Sequence, residues 1–353
     1  MKTIEMNLKE TKYNIYIENN IICKIGEKIK EFCNGNKVAI ITDQNVKALY
    51  GENLKQQIED REFSVSLISI EPGEKSKNLK NLEKLYEKLC HFNLTRNDII
   101  ITLGGGVVGD IGGFLAATYL RGVPYIQIPT SILSQVDSSV GGKVGVDLTY
   151  GKNLVGTFYQ PKAVFIDPMV LSTLREKFLC DGLGEVIKYG FIKDRTIIDD
   201  LMNCKDYNEL LQHMEEIIYK CCYIKKTFVE EDEKDLGVRM ILNFGHTIGH
   251  GIEKYFNYDK YSHGEAVAIG MARITEKIES KGIAKKGTFS AMKKVLERYN
   301  LPYTMPDIDK KELIRILSMD KKNYSGYINL ILIEDIGKAF MKKVSIDELE
   351  NYI

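Results

Sequence analysis

The chain has 353 residues, 44% of them hydrophobic, and its 49 Lys and Arg balance 49 Asp and Glu. That length supports two domains or one large one with a substantial core. The charge balance leaves no global field for nucleic acid or a membrane surface, so an anionic ligand must be held by local lysines and arginines. No apolar run approaches a membrane span. Met1 to Asn7 lack the apolar core of a signal peptide. The seven cysteines form no CxxC pair and read as reduced thiols, so the expected location is the cytoplasm.

Residues 3–8 and 13–18 read as two short strands of a hairpin. From residue 37 strands and helices alternate. Strands are expected at Val38–Thr42, Phe63–Ile70, Asp98–Leu103, Tyr125–Ile128 and Ala163–Ile166, with helices to about Asp60 and from Asn78 to Phe92. This alternation predicts a mainly parallel sheet covered by helices, a Rossmann-like α/β domain over residues 1–176. Thr173-Leu-Arg-Glu176 reads as a capping box opening a helix. Beyond it the helical period dominates, over about 181–203, 206–230, 237–256, 263–281, 286–298 and 310–317, with one strand at Tyr327–Ile333. Residues 177–353 are therefore expected to form a mostly helical second domain.

Gly104-Gly-Gly106-Val-Val-Gly109 fits G-x-G-x-x-G between a strand and a helix, where backbone amides can cradle a pyrophosphate. The motif follows the third crossover strand, not the first, and no acid lies about twenty residues beyond, so a tight structural turn explains it as well. Asp43 ends the first crossover strand, where a ribose hydroxyl can be held. Pro129-Thr130-Ser131 ends another. Three strand ends that meet at one edge argue more strongly for a ligand than the motif alone.

Gln135 to Lys143 and Gly151-Lys152-Asn153 read as loops whose lysines and asparagine offer donors to phosphate or carboxylate, with Asp137 able to bind a hydroxyl. A solvated loop is the plain alternative. Glu185 and Lys188 stand i, i+3 on a helix, which is the spacing of an ordinary surface ion pair.

Three of the five histidines fall in one window, at 246, 250 and 263. Read as one helix, Arg239 to Glu253 places Arg239, Asn243, His246 and His250 on one face. Glycines at 245, 249 and 251 would each weaken that helix by roughly 1 kcal/mol, so something must approach the backbone closely. A solvated polar face is the plain reading. An apolar, glycine-rich segment argues against it. Two or three imidazoles with a carboxylate suit zinc with an open position. The His246/His250 pair leads on spacing, and Glu185 is the best candidate to complete the sphere. Thr247 stands where a zinc peptidase needs glutamate, which excludes that class.

Together these blocks resemble the 3-dehydroquinate synthase family. The resemblance rests on Gly104–Asp110, Pro129–Lys143, Gly151–Pro161, Gly184–Gly190, Leu242–His250 and His263-Gly-Glu265, and it runs essentially end to end. It implies an NAD-binding α/β domain, a mostly helical metal-binding domain and a homodimer. By position it implies zinc or cobalt on Glu185, His246 and His263, with His250 near the substrate in proton handling. Substrate contacts are implied for Asp137, Lys143, Lys152, Asn153, Lys188, Lys225, Arg239 and Asn243. Lys321 or Lys322 is expected to join them, as is Arg121 reaching the neighbouring subunit's site. NAD+ contacts are implied for Asp43, Asn45, Glu74, Lys77, Gly105, Gly106, Val107, Asp110, Thr130, Ser131, Lys143, Lys152 and Thr173.

The implied substrate is 3-deoxy-D-arabino-heptulosonate 7-phosphate, a small sugar phosphate of the shikimate pathway of aromatic amino acid biosynthesis. The implied products are 3-dehydroquinate and phosphate. Transient oxidation by NAD+ acidifies a C–H bond, phosphate leaves by β-elimination, the hydride returns, and the ring opens and closes by an aldol step. Two departures from the family pattern, Val144 to Asp147 and Gly184, touch no implied role. The rival readings are another sugar phosphate cyclase such as 2-deoxy-scyllo-inosose synthase, and a metal-dependent alcohol or glycerol dehydrogenase. An NAD-binding module with a structural zinc is the non-enzyme alternative. It is disfavoured because no cysteine lies in the histidine window.

Overall fold

The computed structural model describes residues 1–318 and 326–353. The chain divides into two units. One is Met1–Leu174 with Met214–Lys234, and the other is Arg175–His213 with Asp235–Ile353. The division near residue 174 lies close to the boundary read at 176. Met214–Lys234, which the sequence reading gave to the second domain, packs instead with the first.

The first unit is built on nine strands: β1 (Lys2–Asn7), β2 (Lys12–Ile17), β3 (Lys37–Asp43), β4 (Ser64–Ile70), β5 (Ile99–Gly104), β6 (Tyr125–Pro129), β7 (Lys143–Leu148), β8 (Gly151–Phe158) and β9 (Ala163–Ile166). Seven form one sheet in the order β1-β2-β9-β6-β5-β3-β4. All its neighbours pair parallel except β1 with β2. The middle strands are apolar throughout, because helices cover both of their faces: β5 is Ile-Ile-Ile-Thr-Leu-Gly, and every residue of it is buried. The helices are α1 (Glu52–Glu59), α2 (Leu79–His91) and α3 (Gly106–Thr118). Asn78 caps α2, its Oδ1 accepting the Asn81 N–H at 2.9 Å.

The chain passes from β3 to β4 on one side, then returns to β5 on the other side of β3. The reversal opens a crevice between β3 and β5, where doubly wound folds bind their ligands. Asp43 and Gly104 end those two strands, and Pro129 is paired with Gly104 in register.

Gly151–Asn153, read as a loop, opens a strand, and Lys143, at the end of the other loop, opens its partner. The two strands form the antiparallel hairpin β7–β8. Its strands hide from pattern reading because β8 is half exposed and carries Gly, Lys and Asn where β-formers are expected.

The second unit contains α4 (Glu176–Ile192), α5 (Arg195–Asn203), the start of α6 (Tyr207–Glu231), α7 (His246–Tyr255), α8 (His263–Ser280), α9 (Thr288–Arg298) and α10 (Lys310–Ser318). A hairpin of β10 (Tyr327–Asp335) and β11 (Lys338–Ser345) completes it. Three expectations are corrected here. The helix read over 181–203 is two, because Asp194 caps α5 through the Thr196 N–H. The capping box at Thr173 does not form. The Thr173 hydroxyl donates to the Val170 carbonyl at 2.9 Å, and α4 starts at Glu176 without a side-chain cap. The helix read over 237–256 breaks in the middle. Residues 238–243 are a 3-10 helix, and the chain turns at Phe244-Gly245 before α7 begins.

Candidate active site

Functional residues gather in two places, one in each unit. The second unit holds the histidines. Gly245 has a φ of 79°, a left-handed value that excludes most side chains, and an added Cβ would stand 2.7 Å from the Val267 carbonyl oxygen. Helix α8 approaches Gly245 and Gly249, while Leu313 and Leu317 of α10 approach Gly251. A Cβ at Gly249 would lie 3.1 Å from the Ala266 backbone. One at Gly184 would lie 2.9 Å from the Gly264 carbonyl oxygen. Gly184, set aside as a harmless departure in the sequence, is thus the point where α4 can approach α8.

This close packing brings three elements to one point. Glu185 on α4 is fully buried. Its Oε1 lies 3.3 Å from His246 Nε2 and 3.6 Å from His263 Nε2. One ligand atom from each of the three residues falls within a 4.8 Å set. The carboxylate and two imidazoles fit a catalytic zinc or cobalt, which takes three protein ligands and keeps a fourth position open. The His246/His250 pair favoured by spacing is not the cluster that includes Glu185. The helix break removes the shared face on which Arg239 and Asn243 were placed beside the histidines. Arg239 is 2% exposed and Asn243 half-buried, both on the 3-10 turn. His250 is exposed on α7, and the three imidazole centroids stand 5.3 to 5.9 Å apart.

The surroundings set the charge states. Burial pushes His246 down to about 3; the nearby Lys188, His263 and His250 push the same way and Glu185 opposes them. His246 is therefore a neutral ring, with Nδ1 3.1 Å from the Phe244 carbonyl oxygen. Burial also disfavours a proton on His263, but hydrogen bonding to Glu185 and Glu253 outweighs it and raises the ring to about 10. Lys188, 1% exposed, pairs with Glu185 Oε2. The pair read as a surface salt bridge is a buried one. Sequence reasoning assigned no role to Glu253, which is 4% exposed with Oε1 3.6 Å from His263 Nδ1.

The first unit holds the glycine loop. Gly105 is the N-cap of α3, and the Thr130 N–H donates to the Gly104 carbonyl at 3.0 Å. A Cβ on Gly105 would stand at ordinary contact distance, 3.4 Å, from the Ser131 hydroxyl, and one on Gly106 at a tighter 3.2 Å from the Ser138 hydroxyl. Val107 is half-buried on the first turn of α3. Asp43 Oδ1 accepts the N–H groups of Asn45 and Val46 at 2.9 and 3.1 Å, a cap that fixes the carboxylate at the end of β3. Asn45 is exposed beside it. Thr173 is exposed, its hydroxyl 2.8 Å from Tyr50 OH.

Lys77 is the charge centre of this unit. It is 4% exposed, with Nζ 2.8 Å from Glu74, 3.1 Å from Asp110, 3.8 Å from Asp147 and 2.8 Å from Asn153 Oδ1. Burial raises the Asp110 carboxyl to about 6, a rise that Lys77 moderates. Asp147 also accepts the Asn153 N–H at 2.7 Å. The departure at Asp147 therefore touches two assigned residues, Lys77 and Asn153, contrary to the sequence reading. Asp137 Oδ1 pairs with the buried Lys225 at 2.9 Å. Lys143 is exposed and Lys152 half-buried on the β7–β8 hairpin. Arg121 is exposed on the turn before β6. Lys321 and Lys322 lie outside the described residues.

Two family models match the chain. One described as 3-dehydroquinate synthase N-terminal covers residues 67–181, and one described as 3-dehydroquinate synthase C-terminal covers residues 182–323. A 3-dehydroquinate synthase of Clostridium kluyveri is 57% identical over 100% of this chain and 98% of its own. One from Clostridium acetobutylicum is 53% identical over 100% and 99%. Among solved structures, a 2-deoxy-scyllo-inosose synthase complexed with carbaglucose-6-phosphate, NAD+ and Co2+ superposes with a TM-score of 0.87 at 24% identity, covering 99% of each chain. An iron-containing alcohol dehydrogenase from Thermotoga maritima superposes with a TM-score of 0.64 at 15% identity, over 87% of this chain and 91% of that one.

Proposed function

The chain belongs to the 3-dehydroquinate synthase family, and we propose on that premise how its residues carry out the reaction. The activity is conversion of 3-deoxy-D-arabino-heptulosonate 7-phosphate to 3-dehydroquinate and phosphate, with NAD+ and a divalent zinc or cobalt ion. Oxidation of one carbinol, phosphate β-elimination, re-reduction, ring opening and an aldol closure follow in that order. The observation that carries the site assignment is the cluster of the buried Glu185 with the half-buried His246 and His263. These three would hold the metal. When bound, the metal supplies Lewis acidity at the carbinol oxygen and NAD+ supplies a hydride acceptor that later becomes the donor.

The remaining work falls to side chains. Lys188, fixed by Glu185, presents a buried cation beside the metal ligands. His250, exposed on the same helix as His246, handles protons at the substrate. Arg239 and Asn243 contact substrate from the 3-10 turn. Lys143, Lys152 and Asn153, with Asp137 held by Lys225, bind the carboxylate, phosphate and hydroxyls. The phosphate oxygens take the proton in their own elimination, so no strong protein base is needed there. Asp43, Asn45, Glu74, Lys77, Gly105, Gly106, Val107, Asp110, Thr130, Ser131 and Thr173 bind NAD+, with Lys143 and Lys152 at its edge. Phosphate release from the heptulosonate phosphate, with none from glucose 6-phosphate, is the expected substrate profile. The reverse preference would assign the chain to another cyclase activity.

A cytoplasmic homodimer completes the reading. Among the described residues no helix is long and apolar enough to cross a membrane, and no disulfide joins two cysteines. The family resemblance assigns Arg121 to the dimer. Leu120, Arg121 and Gly122 have φ of 51°, 65° and 121°, and Arg96 Nε donates to the Leu120 carbonyl at 2.7 Å. Two successive side-chain-bearing residues in left-handed geometry cost on the order of 1 kcal/mol each or more, a strain that turns held for function carry. In the proposed dimer Arg121 reaches the partner subunit's site. Mixing Arg121→Ala with His250→Ala protein should then restore one competent site per mixed dimer, or about a quarter of wild-type activity after random exchange. No recovery, with mixed dimers shown by tag pull-down, would return Arg121 to its own subunit.

A further inference from the structure

We infer that Glu253 is a positioning residue for the metal centre: its carboxylate holds the His263 ring so that Nδ1 carries the proton and Nε2 faces Glu185 and His246. The inference rests on the metal reading above. His263 belongs to two candidate clusters, Glu185/His246/His263 and His250/Glu253/His263. It uses a different ring nitrogen in each. Nε2 lies 3.6 Å from Glu185 Oε1, and Nδ1 lies 3.6 Å from Glu253 Oε1. A metal on Nε2 requires the neutral ring, and the neutral ring must then keep its one proton on Nδ1. Glu253 is the carboxylate beside that nitrogen.

The backbone of His263 is already fixed. Ser262 and Glu265 form a capping box at the start of α8, and the Gly264 N–H donates to Asp181 Oδ1 at 2.6 Å. What the backbone leaves open is rotation of the ring, which would exchange the two nitrogens. Glu253 removes that freedom. His246 meets the same requirement differently, through the Phe244 carbonyl at its Nδ1. Glu253 reaches the site because it lies seven residues after His246 on α7, two turns along the same face. A buried carboxylate needs polar or charged partners, and the His263 ring is one of those beside Glu253. A carboxylate behind a ligating imidazole also raises the basicity of the ligating nitrogen.

The test is cobalt titration of the full chain against a competing chelator, with visible absorption reporting the coordination sphere. Glu253→Ala, Glu253→Gln and His263→Ala are compared with wild type, and far-UV circular dichroism checks folding. Glu253→Ala should bind cobalt about 10- to 100-fold more weakly while keeping the wild-type band positions, because the ligand set is intact. Glu253→Gln, which can still accept the N–H, should recover part of the loss. Unchanged affinity in Glu253→Ala would overturn the inference. Loss as complete as in His263→Ala would overturn it too, by making Glu253 a direct ligand. A wild-type chain that binds neither cobalt nor zinc would instead overturn the metal reading itself.

Discussion

His246→Ala, His263→Ala and Glu185→Gln should each remove bound metal and turnover together. In the proposed site each takes away one of three protein ligands, and the remaining two cannot hold a divalent ion against water. The affinity loss should exceed the about 10- to 100-fold that outer-shell changes cost. Glu185→Gln carries a second penalty. It leaves Lys188 buried without its counter-charge, which costs about 3–5 kcal/mol of stability in comparable cases. Its melting temperature should fall further than that of either histidine variant. His250→Ala should keep the metal and lose rate, by roughly 10²- to 10⁴-fold if it moves a proton in the slow step. Metal analysis and steady-state rates on the four proteins decide the matter. An empty site in His250→Ala with a full one in His263→Ala would reverse the ligand assignment.

Lys77→Met should be the most damaging change in the first unit. The substitution leaves Glu74, Asp110 and Asp147 facing one another without their shared cation. Removing one partner of a buried ionic cluster costs about 3–5 kcal/mol, and NAD+ binding should be lost with it. The loss should depend on pH in one direction. Burial already raises the Asp110 carboxyl to about 6 with Lys77 present. An acid whose folded pKa exceeds its unfolded value destabilises the fold fully above the folded pKa, and the penalty fades as pH falls through it. Without Lys77 the carboxyl rises further, so the variant regains stability as the medium is acidified. Urea unfolding at pH 8 and pH 5 should show the gap to wild type narrowing at pH 5. A gap of equal or greater size at pH 5 would show that the three carboxylates do not depend on Lys77.

The strands of the parallel sheet were legible because their residues are apolar on both faces. Ile99 to Leu103 admits no other reading inside a βα repeat. The β7–β8 and β10–β11 hairpins were not fully legible. β11, Lys-Ala-Phe-Met-Lys-Lys-Val-Ser, is mostly exposed and carries lysines where an inward pattern would alternate. The histidine helix was misread for a different reason. A 3-10 turn followed by an α-helix keeps nearly the apolar spacing of one helix, and only Gly245 marks the break.

The metal cluster shows what spacing can and cannot reveal. His246 and His250 are four apart, and any helical reading pairs them. Glu185 and His263 arrive from two other helices, placed by glycine contacts that no single-chain pattern encodes. Family resemblance grouped them with His246, and the structure brings those three side chains together. Glu253 ended the motif that sequence analysis started from, yet its place behind His263 needs the path of α8 to be seen. Asp147 was passed over because its partner Lys77 lies far away in sequence.

The central claim is that hydride leaves the substrate and returns to it. Cyclase and dehydrogenase share the glycine loop, Asp43 and a metal, so losing those residues separates nothing. The fate of the hydride does separate them. With purified protein, the heptulosonate phosphate and substoichiometric NAD+, phosphate release and nicotinamide absorbance are followed together, using substrate deuterated at the oxidised carbon. Many phosphates should be released per NAD+, with no net rise in absorbance and with deuterium retained at that carbon in the product. Accumulation of reduced nicotinamide in step with turnover, or loss of the deuterium, would contradict return of the hydride.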